Sequence, residues 1–377
     1  MLTDPFQLGT LTVPNRVLLS PLAGVSDVPF RRICQELGAG LTYIEMLSAA
    51  GMAHRTRKTD ELLARDAAEP ILGAQMTGAS AAIMTEGARL LMDWALPVET
   101  LDINMGCPVR KIVSRGCGSA IVRDPAMAGE MVRQVRETVP IPVTAKIRVG
   151  FVRKQPTVRE VCTALAQGGA EMITIHGRFR EDNYGDPVRY ELIREGFAAA
   201  EAAVRTAEGG RKIWKIGNGN VFDLESARRM VDETGCDGVL VSRGALGNPW
   251  IFRWILEDEE RQPTVAEWED VLLRHMDHHE AFYGDGLYAA IRFRKHLLWY
   301  VKGYPGAKAA KPELSVMTSM AEIRARIRAF ARALPPGLPR FPDHEDRRAA
   351  AEADPKHEMD RQHDRGVEHY ESEGENL

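Results

Sequence analysis

The chain has 377 residues, 44% of them hydrophobic and 27% charged, and a formal net charge of −4. It is long enough for one large domain plus a smaller one, it lacks the run of ~18 apolar residues that spans a membrane, and its charge excludes a generally basic nucleic-acid binder. From Arg340 onward twelve acidic residues stand against six basic ones, a net of −6, so the first 339 residues carry +2 and any RNA contact must come from a local patch.

Residues 1–9 carry Asp4 and Pro5 and no basic segment followed by an apolar one, so no signal peptide is expected. The cysteines, Cys34, Cys107, Cys117, Cys162 and Cys236, are odd in number, scattered and never in a C-x-x-C pair. Reduced thiols in a cytoplasmic protein are the expectation, not a disulfide or zinc framework.

Strand-like and helix-like segments alternate from residue 16 to about 250. Residues 16–20 read as a strand ending at Pro21-Leu22-Ala23-Gly24, and 27–37 as a helix with Pro29 in its first turn and Gly38 as its stop. Strands follow at 41–46, 70–76, 100–105, 143–149, 172–176, 212–217 and 238–242. Helical spacing falls between them, at 80–94, 125–139, 157–167, 191–207 and 224–234. Eight strands over about 235 residues predict a (β/α)8 TIM barrel. A doubly wound sheet is the competitor, but Gly116-Cys117-Gly118 lacks the third glycine at 121 and lies far from the first strand.

The expected domains are a barrel over 1–257, a small all-helical domain over 264–334 interrupted at Tyr304-Pro305-Gly306, and a disordered charged tail over 335–377. Four of the ten histidines fall in that tail, where irregular spacing favours a solvated segment over a metal site.

Within the barrel, Leu101-Asp102-Ile103-Asn104-Met105-Gly106-Cys107-Pro108 stands out. Gly106 and Pro108 break a buried strand and leave Cys107 on the loop beyond its C-terminal end, where such folds collect ligands and catalytic groups. An active-site cysteine is favoured over a small core thiol. Other strands end on Pro21–Gly24, Gln75, Lys146–Arg148, His176-Gly177-Arg178, Gly217-Asn218-Gly219-Asn220 and Ser242-Arg243-Gly244, all on one rim if the barrel is right. The last two loops suit a phosphate monoester, with glycine-exposed N–H groups and Arg243 nearby. Lys146, inside an apolar run, would be an expensive buried amine unless a ligand with electron-rich carbonyl or ring nitrogen atoms met it, and His176 could donate to the same ring.

These motifs, with Gly116-x-Gly118-Ser119-Ala120 and Arg243–Trp250, and with Arg292-Phe293-Arg294-Lys295-His296 followed by Trp299, Tyr300 and Gly303, resemble the tRNA-dihydrouridine synthase family, most nearly its bacterial B-type branch. The match runs over roughly residues 6–310 in the expected order. The resemblance implies FMN-dependent reduction of uridine in tRNA to 5,6-dihydrouridine, with NADPH (or NADH) as reductant. Carried over by position, Pro21, Leu22 and Ala23 would touch the flavin through backbone, and Gln75, Lys146 and His176 through side chains. Asn218, Gly219, Asn220, Ser242 and Arg243 would hold its phosphate. Cys107 would be the general acid, giving C5 its proton while hydride from flavin N5 goes to C6, with Asn104 and Arg178 near the uracil. A thiol with an ordinary pKa near ~8.5 stays protonated for that task. A monomer without membrane or metal is expected. Ser242 and Asn220 replace the Gly and Asp commonly seen in the family, and the connection 191–211 is longer.

Two further clusters need weighing. His275-Met276-Asp277-His278-His279-Glu280 offers too few ligands for a metal and reads as surface or RNA-facing histidines. Residues 288–311 carry Arg292, Arg294, Lys295, Lys302, Lys308 and Lys311 among Trp299, Tyr300 and Tyr304, the best candidate for tRNA contact, with Arg292 and Lys295 foremost. The alternative is an amphipathic helix with solvated charges and an aromatic core. Cys117 is read as structural. A flavin barrel acting on a free small molecule, of dihydroorotate or dihydropyrimidine type, is the competing enzyme, and the basic helical segment argues against it. An RNA-binding module that keeps FMN structurally would leave Cys107 unexplained.

Overall fold

In the computed structural model, which describes residues 1–54, 56–94, 98–205 and 211–339, the chain opens with an antiparallel hairpin of β1 (Phe6–Leu8) and β2 (Leu11–Val13). Nine parallel strands follow: β3 (Val17–Leu19), β4 (Thr42–Tyr43), β5 (Leu47–Ser48), β6 (Leu72–Thr77), β7 (Thr100–Met105), β8 (Val143–Gly150), β9 (Met172–Phe179), β10 (Trp214–Asn218) and β11 (Gly238–Val241). They run in the order β3-β11-β10-β9-β8-β7-β6-β4, with β5 also on β6. Backbone hydrogen bonds from Leu19 N to Leu41 O and from Gly40 N to Val17 O, both 2.9 Å, join the first strand to the second and close the barrel.

The strand expected at 41–46 is split. Between the pairs Tyr43↔Gly73 and Leu47↔Met76 its side carries one more residue than β6 does, so the ladder bulges around Glu45. The other expected strands and helices are present within a few residues of their predicted ends. The opening hairpin had no counterpart in the pattern reading, because each of its strands is only three residues long.

Alternation along each strand sorts the interior into layers. Leu18, Leu41, Tyr43, Met172, Ile216 and Leu240 pack with Phe6, Leu8 and Val13 of the hairpin as one buried cluster. Two residues further along, the same parity brings in Ser20, Thr174, Asn218 and Ser242. Register with Met172 brings in Thr144, Asp102 and Gln75 beside them. Apolar below and polar above, the barrel interior changes character within one layer.

Among the described residues the region after the barrel holds the helices Val265–Tyr283, Leu287–Val301, Ala307–Leu314 and Met320–Arg332. Thr264 and Glu267 close the first with a reciprocal capping box, and the expected interruption falls at Gly306, in a left-handed conformation with φ +82°. Trp268, Leu272, Met276, Phe293 and Leu297 join Phe30 and Ile33 of the barrel helix Val28–Glu36 in one continuous buried cluster. The core therefore crosses the boundary placed at 257–264. The tail expected from 335 lies outside the described residues from Arg340 onward. No described helix is long and apolar enough to cross a membrane, and no group of three or more His, Cys, Asp or Glu among the described residues could hold a metal ion.

Candidate active site

Cys107 sits half-buried just past β7, and its loop is held from three sides. Asn104 Oδ1 accepts from the backbone N–H groups of Gly106 (3.0 Å) and Cys107 (2.9 Å). Arg148 Nε donates to Gly106 O at 2.9 Å. Ser119 donates to Cys107 O through both its backbone N (3.0 Å) and its Oγ (2.8 Å). That last contact requires Gly118, whose φ is +59° and where an added Cβ would lie 2.8 Å from Cys107 O. Burial pushes the Cys107 thiol above its ordinary range, against the weaker pull of Arg148 and Lys146. That direction keeps the thiol protonated at neutral pH. Cys117 lies at the rim with its Sγ near Arg115 O at 3.7 Å, and Cys34, Cys162 and Cys236 are buried; all five are free thiols.

Below the thiol loop, inward residues of neighbouring strands form a row. Gln75 Nε2 donates to Asp102 Oδ2 at 2.7 Å, Thr144 Oγ1 donates to Asp102 Oδ1 at 2.6 Å, and Asn104 Nδ2 donates to Gln75 Oε1 at 2.8 Å. Asn104 pairs in register with Lys146, and Lys146 with Thr174. Burial above all, with Arg148 beside it, lowers Lys146 to about 8 against the opposing pull of Asp102 and Cys107. Its Nζ makes no hydrogen bond among the described residues. His176 is kept neutral by burial and by Arg148, Lys146, Arg178 and Arg243 around it. Because the Arg178 guanidinium can only donate, His176 Nε2 (3.2 Å away) is the acceptor, and the ring proton is on Nδ1. The ammonium and that imidazole N–H are donors awaiting acceptors.

The third part lies where β9, β10 and β11 end. Arg178 is buried, and its hydrogen bonds go to neutral partners: His176, the carbonyls of Tyr184 (2.7 Å) and Asp186 (2.6 Å), and Asn220 Oδ1 (3.1 Å). Burial and the neighbouring Arg243 and Arg148 lower it to about 10. Asn220 adopts a left-handed φ of +51°, which asparagine tolerates, and its Oδ1 also accepts from Arg243 at 3.2 Å. Arg243 stacks on Tyr184 with 4.3 Å to the ring centroid. Asn218 Nδ2 donates to Leu240 O (2.8 Å) and Ser242 Oγ (3.1 Å). At Gly219, φ +123°, an added Cβ would meet the His176 ring and Val188 at 3.1 Å, so the glycine keeps open the space beside His176. Repelling guanidiniums beside a glycine-cleared gap suit an anion.

Pro21, Leu22 and Ala23 lie on the turn after β3, where Leu22 N donates to Ser26 Oγ at 2.8 Å. That turn also receives the helical region. Lys295, expected to face RNA, is turned inward: its Nζ donates to Gly24 O, while Gly24 N donates to Glu45 Oε2 at 2.6 Å. Burial lowers the Lys295 amine and raises the Glu45 carboxyl. Arg292 stands over the rings of Tyr283 (4.8 Å) and Tyr288 (5.5 Å) at the same edge.

The histidine reading is corrected. His275 and His279 are in the core, together with His296, because they share a helix face with Trp268 and Leu272 that packs against Val28–Glu36. Only His278 reaches the surface side, 2.7 Å from Glu36. Tyr300 and Tyr304 are likewise core residues, unavailable for stacking on a base, whereas Lys302, Lys308 and Lys311 are exposed.

Pattern reading passed over Asp102, Thr144 and Glu45. For Asp102 the signal was present, an acid two residues before Asn104 and so on the same strand face. Glu45 is aimed by the bulge, which nothing local announces.

Comparison with known proteins places the chain in a family. The family described as dihydrouridine synthase matches residues 18–334. The tRNA-dihydrouridine synthase B of Pseudomonas aeruginosa is 34% identical over 329 residues, covering 86% of this chain and 95% of that protein. The probable tRNA-dihydrouridine synthase 1 of Synechocystis is 35% identical over 325 residues, covering 84% and 87%. Among solved structures, the 6-hydroxypseudooxynicotine amine oxidase of Pseudomonas geniculata superposes with a TM-score of 0.51 at 13% identity, over 72% of this chain and about half, 52%, of that one. At that identity the likeness concerns the fold alone.

Proposed function

Because the chain belongs to the dihydrouridine synthase family, we propose that it reduces uridines of tRNA to 5,6-dihydrouridine, with FMN as the bound flavin and NADPH as the electron source. The observation that carries this reading is the convergence of the Cys107 thiol, a hydrogen-bonded polar row with the Lys146 ammonium beside it, and an arginine-lined gap at one end of one barrel. A flavin has electron-rich ring atoms and, as FMN, one phosphate monoester; the donor row and the gap fit those two ends. When bound, it supplies hydride to C6 of the pyrimidine.

The chain's own residues do the rest. Lys146, Gln75 and His176 meet the ring's acceptors, and Pro21, Leu22 and Ala23 line it through backbone. Asn218, Gly219, Asn220, Ser242 and Arg243 take the phosphate, while Arg178, expected near the uracil, is buried against His176 and Asn220 on the phosphate side. Cys107 gives its Sγ proton to C5 of the uracil, so the C5–C6 double bond is saturated by one hydride and one proton. Asn104, bonded to the Cys107 backbone, faces the same base. A uridine inside folded RNA must be turned out to reach this depth. Arg292 and the exposed Lys302, Lys308 and Lys311 contact the RNA backbone, while Lys295 acts on the turn at Gly24. The protein acts in the cytoplasm, as a monomer.

The test is direct. The purified protein should be yellow, release FMN on denaturation, and restore dihydrouridine when supplied to tRNA from a strain lacking it, as mapped by mass spectrometry. A colourless protein that FMN cannot reconstitute, or tRNA left unchanged, would overturn the reading.

A further inference from the structure

We propose that Asp102 is a positioning residue: its carboxylate sets the direction of a hydrogen-bond chain that ends on the backbone of Cys107, and its charge is the counter-charge of Lys146. The inference rests on the reading of the site as a flavin site.

The chain has two ends that cannot be reversed. An ionised carboxylate only accepts, and Asp102 takes Thr144 Oγ1 at 2.6 Å and Gln75 Nε2 at 2.7 Å. Gln75 must therefore turn its amide oxygen to Asn104 Nδ2, 2.8 Å away. Asn104 must then turn its own oxygen toward Gly106 N and Cys107 N, at 3.0 and 2.9 Å. Backbone N–H groups only donate, so both ends impose one direction. One N–H of Gln75 and one of Asn104 are left over to donate to a ligand. Without the carboxylate Gln75 is free to turn over and leave Asn104 Nδ2 without its acceptor, so the side chain that fixes the Gly106 and Cys107 N–H groups is held at one end only.

Packing does not explain an acid here. Asp102 is buried and linked by register, through Thr144, to Met172 of the apolar cluster, which an apolar side chain here would extend. A buried carboxylate persists where it is hydrogen-bonded and paired. Burial raises Asp102 to about 6, while Thr144, Gln75 and Lys146 pull it down. Lys146 stands two residues along β8 from Thr144, the register partner of Asp102, and so on the same face of the sheet as that carboxylate; Cys107, Arg148 and His176 are the other titratable groups that act on it. Asp102 is the only carboxylate in that set.

Two variants separate direction from charge. Asp102→Asn keeps an oxygen for Gln75 and offers its NH2 to Thr144, so the chain keeps its direction while the charge is lost. Asp102→Leu removes both. The readouts are FMN released from holoenzyme on dialysis between pH 6 and 10, and single-turnover oxidation of the reduced enzyme by tRNA. Wild type should begin to release FMN above about pH 8, as Lys146 loses its proton. In Asp102→Asn that onset should move about one unit lower, a tenfold shift in proton concentration. Asp102→Leu should release FMN at every pH and turn over at least tenfold more slowly. An onset in Asp102→Asn identical to wild type overturns the charge role, and wild-type retention and rate in Asp102→Leu overturn the positioning role. Should Asp102→Leu fail to fold, Asp102→Ala, which removes the same acceptor without adding bulk, repeats the test of positioning, and the Asp102→Asn onset still decides the charge role. A wild-type protein without flavin would instead overturn the functional reading itself.

Discussion

At the strand ends, residues two apart (Gln75 and Thr77, Asp102 and Asn104, Lys146 and Arg148, His176 and Arg178) share a parity, so a polar residue placed there enters the barrel mouth. In the helical region the same residue types obey no such binary rule. Lys295 and Arg292 lie on one helix, three residues apart, yet the first is bonded to a carbonyl of a barrel turn and the second is sandwiched by tyrosines at the edge. His275 and His278 have the same spacing, and one is core and the other meets Glu36. Direction on a strand is settled by counting; direction on a helix is settled by what packs against it, and that partner lies far away in the chain.

The largest effect should come from the strand-end side. Cys107→Ala should retain flavin and RNA binding but slow single-turnover reduction of tRNA by ~10²–10⁴-fold, the range of a lost acid–base group. Cys107→Ser should also be poor, a hydroxyl being a much weaker acid. Cys117→Ala, at the rim, should change the rate little; if it stalled while Cys107→Ala did not, the thiols have been assigned the wrong way round.

Next comes the helical side, read through acid stability. His275 Nε2, His279 Nδ1 and both ring nitrogens of His296 are buried without partners among the described residues. Burial holds all three rings below the usual histidine range, His279 at about 4. The unfolded chain takes up protons near ~6.5 where the folded one does not, so stability is intact above that pH and falls as pH drops toward 4. For His279 alone the loss approaches about 3 kcal/mol. His296→Phe, which keeps the ring and removes the titration, should flatten the fall in melting temperature between pH 7.5 and 5. An unchanged slope would mean the cluster is hydrated.

Lys146→Ala tests the donor row. Losing a charge-assisted hydrogen bond to the flavin should weaken retention by roughly 10- to 100-fold, measured as FMN released on dialysis. The smallest and most discriminating effect contrasts the two helical cations. Arg292→Ala should weaken tRNA binding a few-fold and reduce the slope of log affinity against log salt by about one. Lys295→Met should leave that slope unchanged and instead loosen flavin retention, through the turn at Gly24. Equal salt slopes for both variants would erase the distinction between the two residues.

Much of the barrel was legible, because parallel strands buried on both faces read as apolar runs and their helices as 3.6-residue periods. The site was legible to the extent that it lies at strand ends: Asn104, Cys107, Lys146, His176, Asn218 and Arg243 all fall there. What escaped depends on long-range events. The bulge that turns Glu45 toward Gly24 needs knowledge of the register with β6. The inward turn of Lys295 needs the docking of Leu287–Val301 on the mouth. Asn220 reads in the sequence as a lost charge, and the structure adds that it bridges two guanidiniums.

The hairpin at the start of the chain has a kinetic consequence. Phe6, Leu8 and Val13 seal the lower end of the barrel, and Trp214 is tied beneath them by its indole N–H, which donates to Gln7 O at 2.6 Å. With that end packed shut, a flavin held as proposed would be reached from the strand-end side. A nucleotide donor and a tRNA would then meet at the same rim and compete for it, and an excess of either one would slow the other in steady-state turnover.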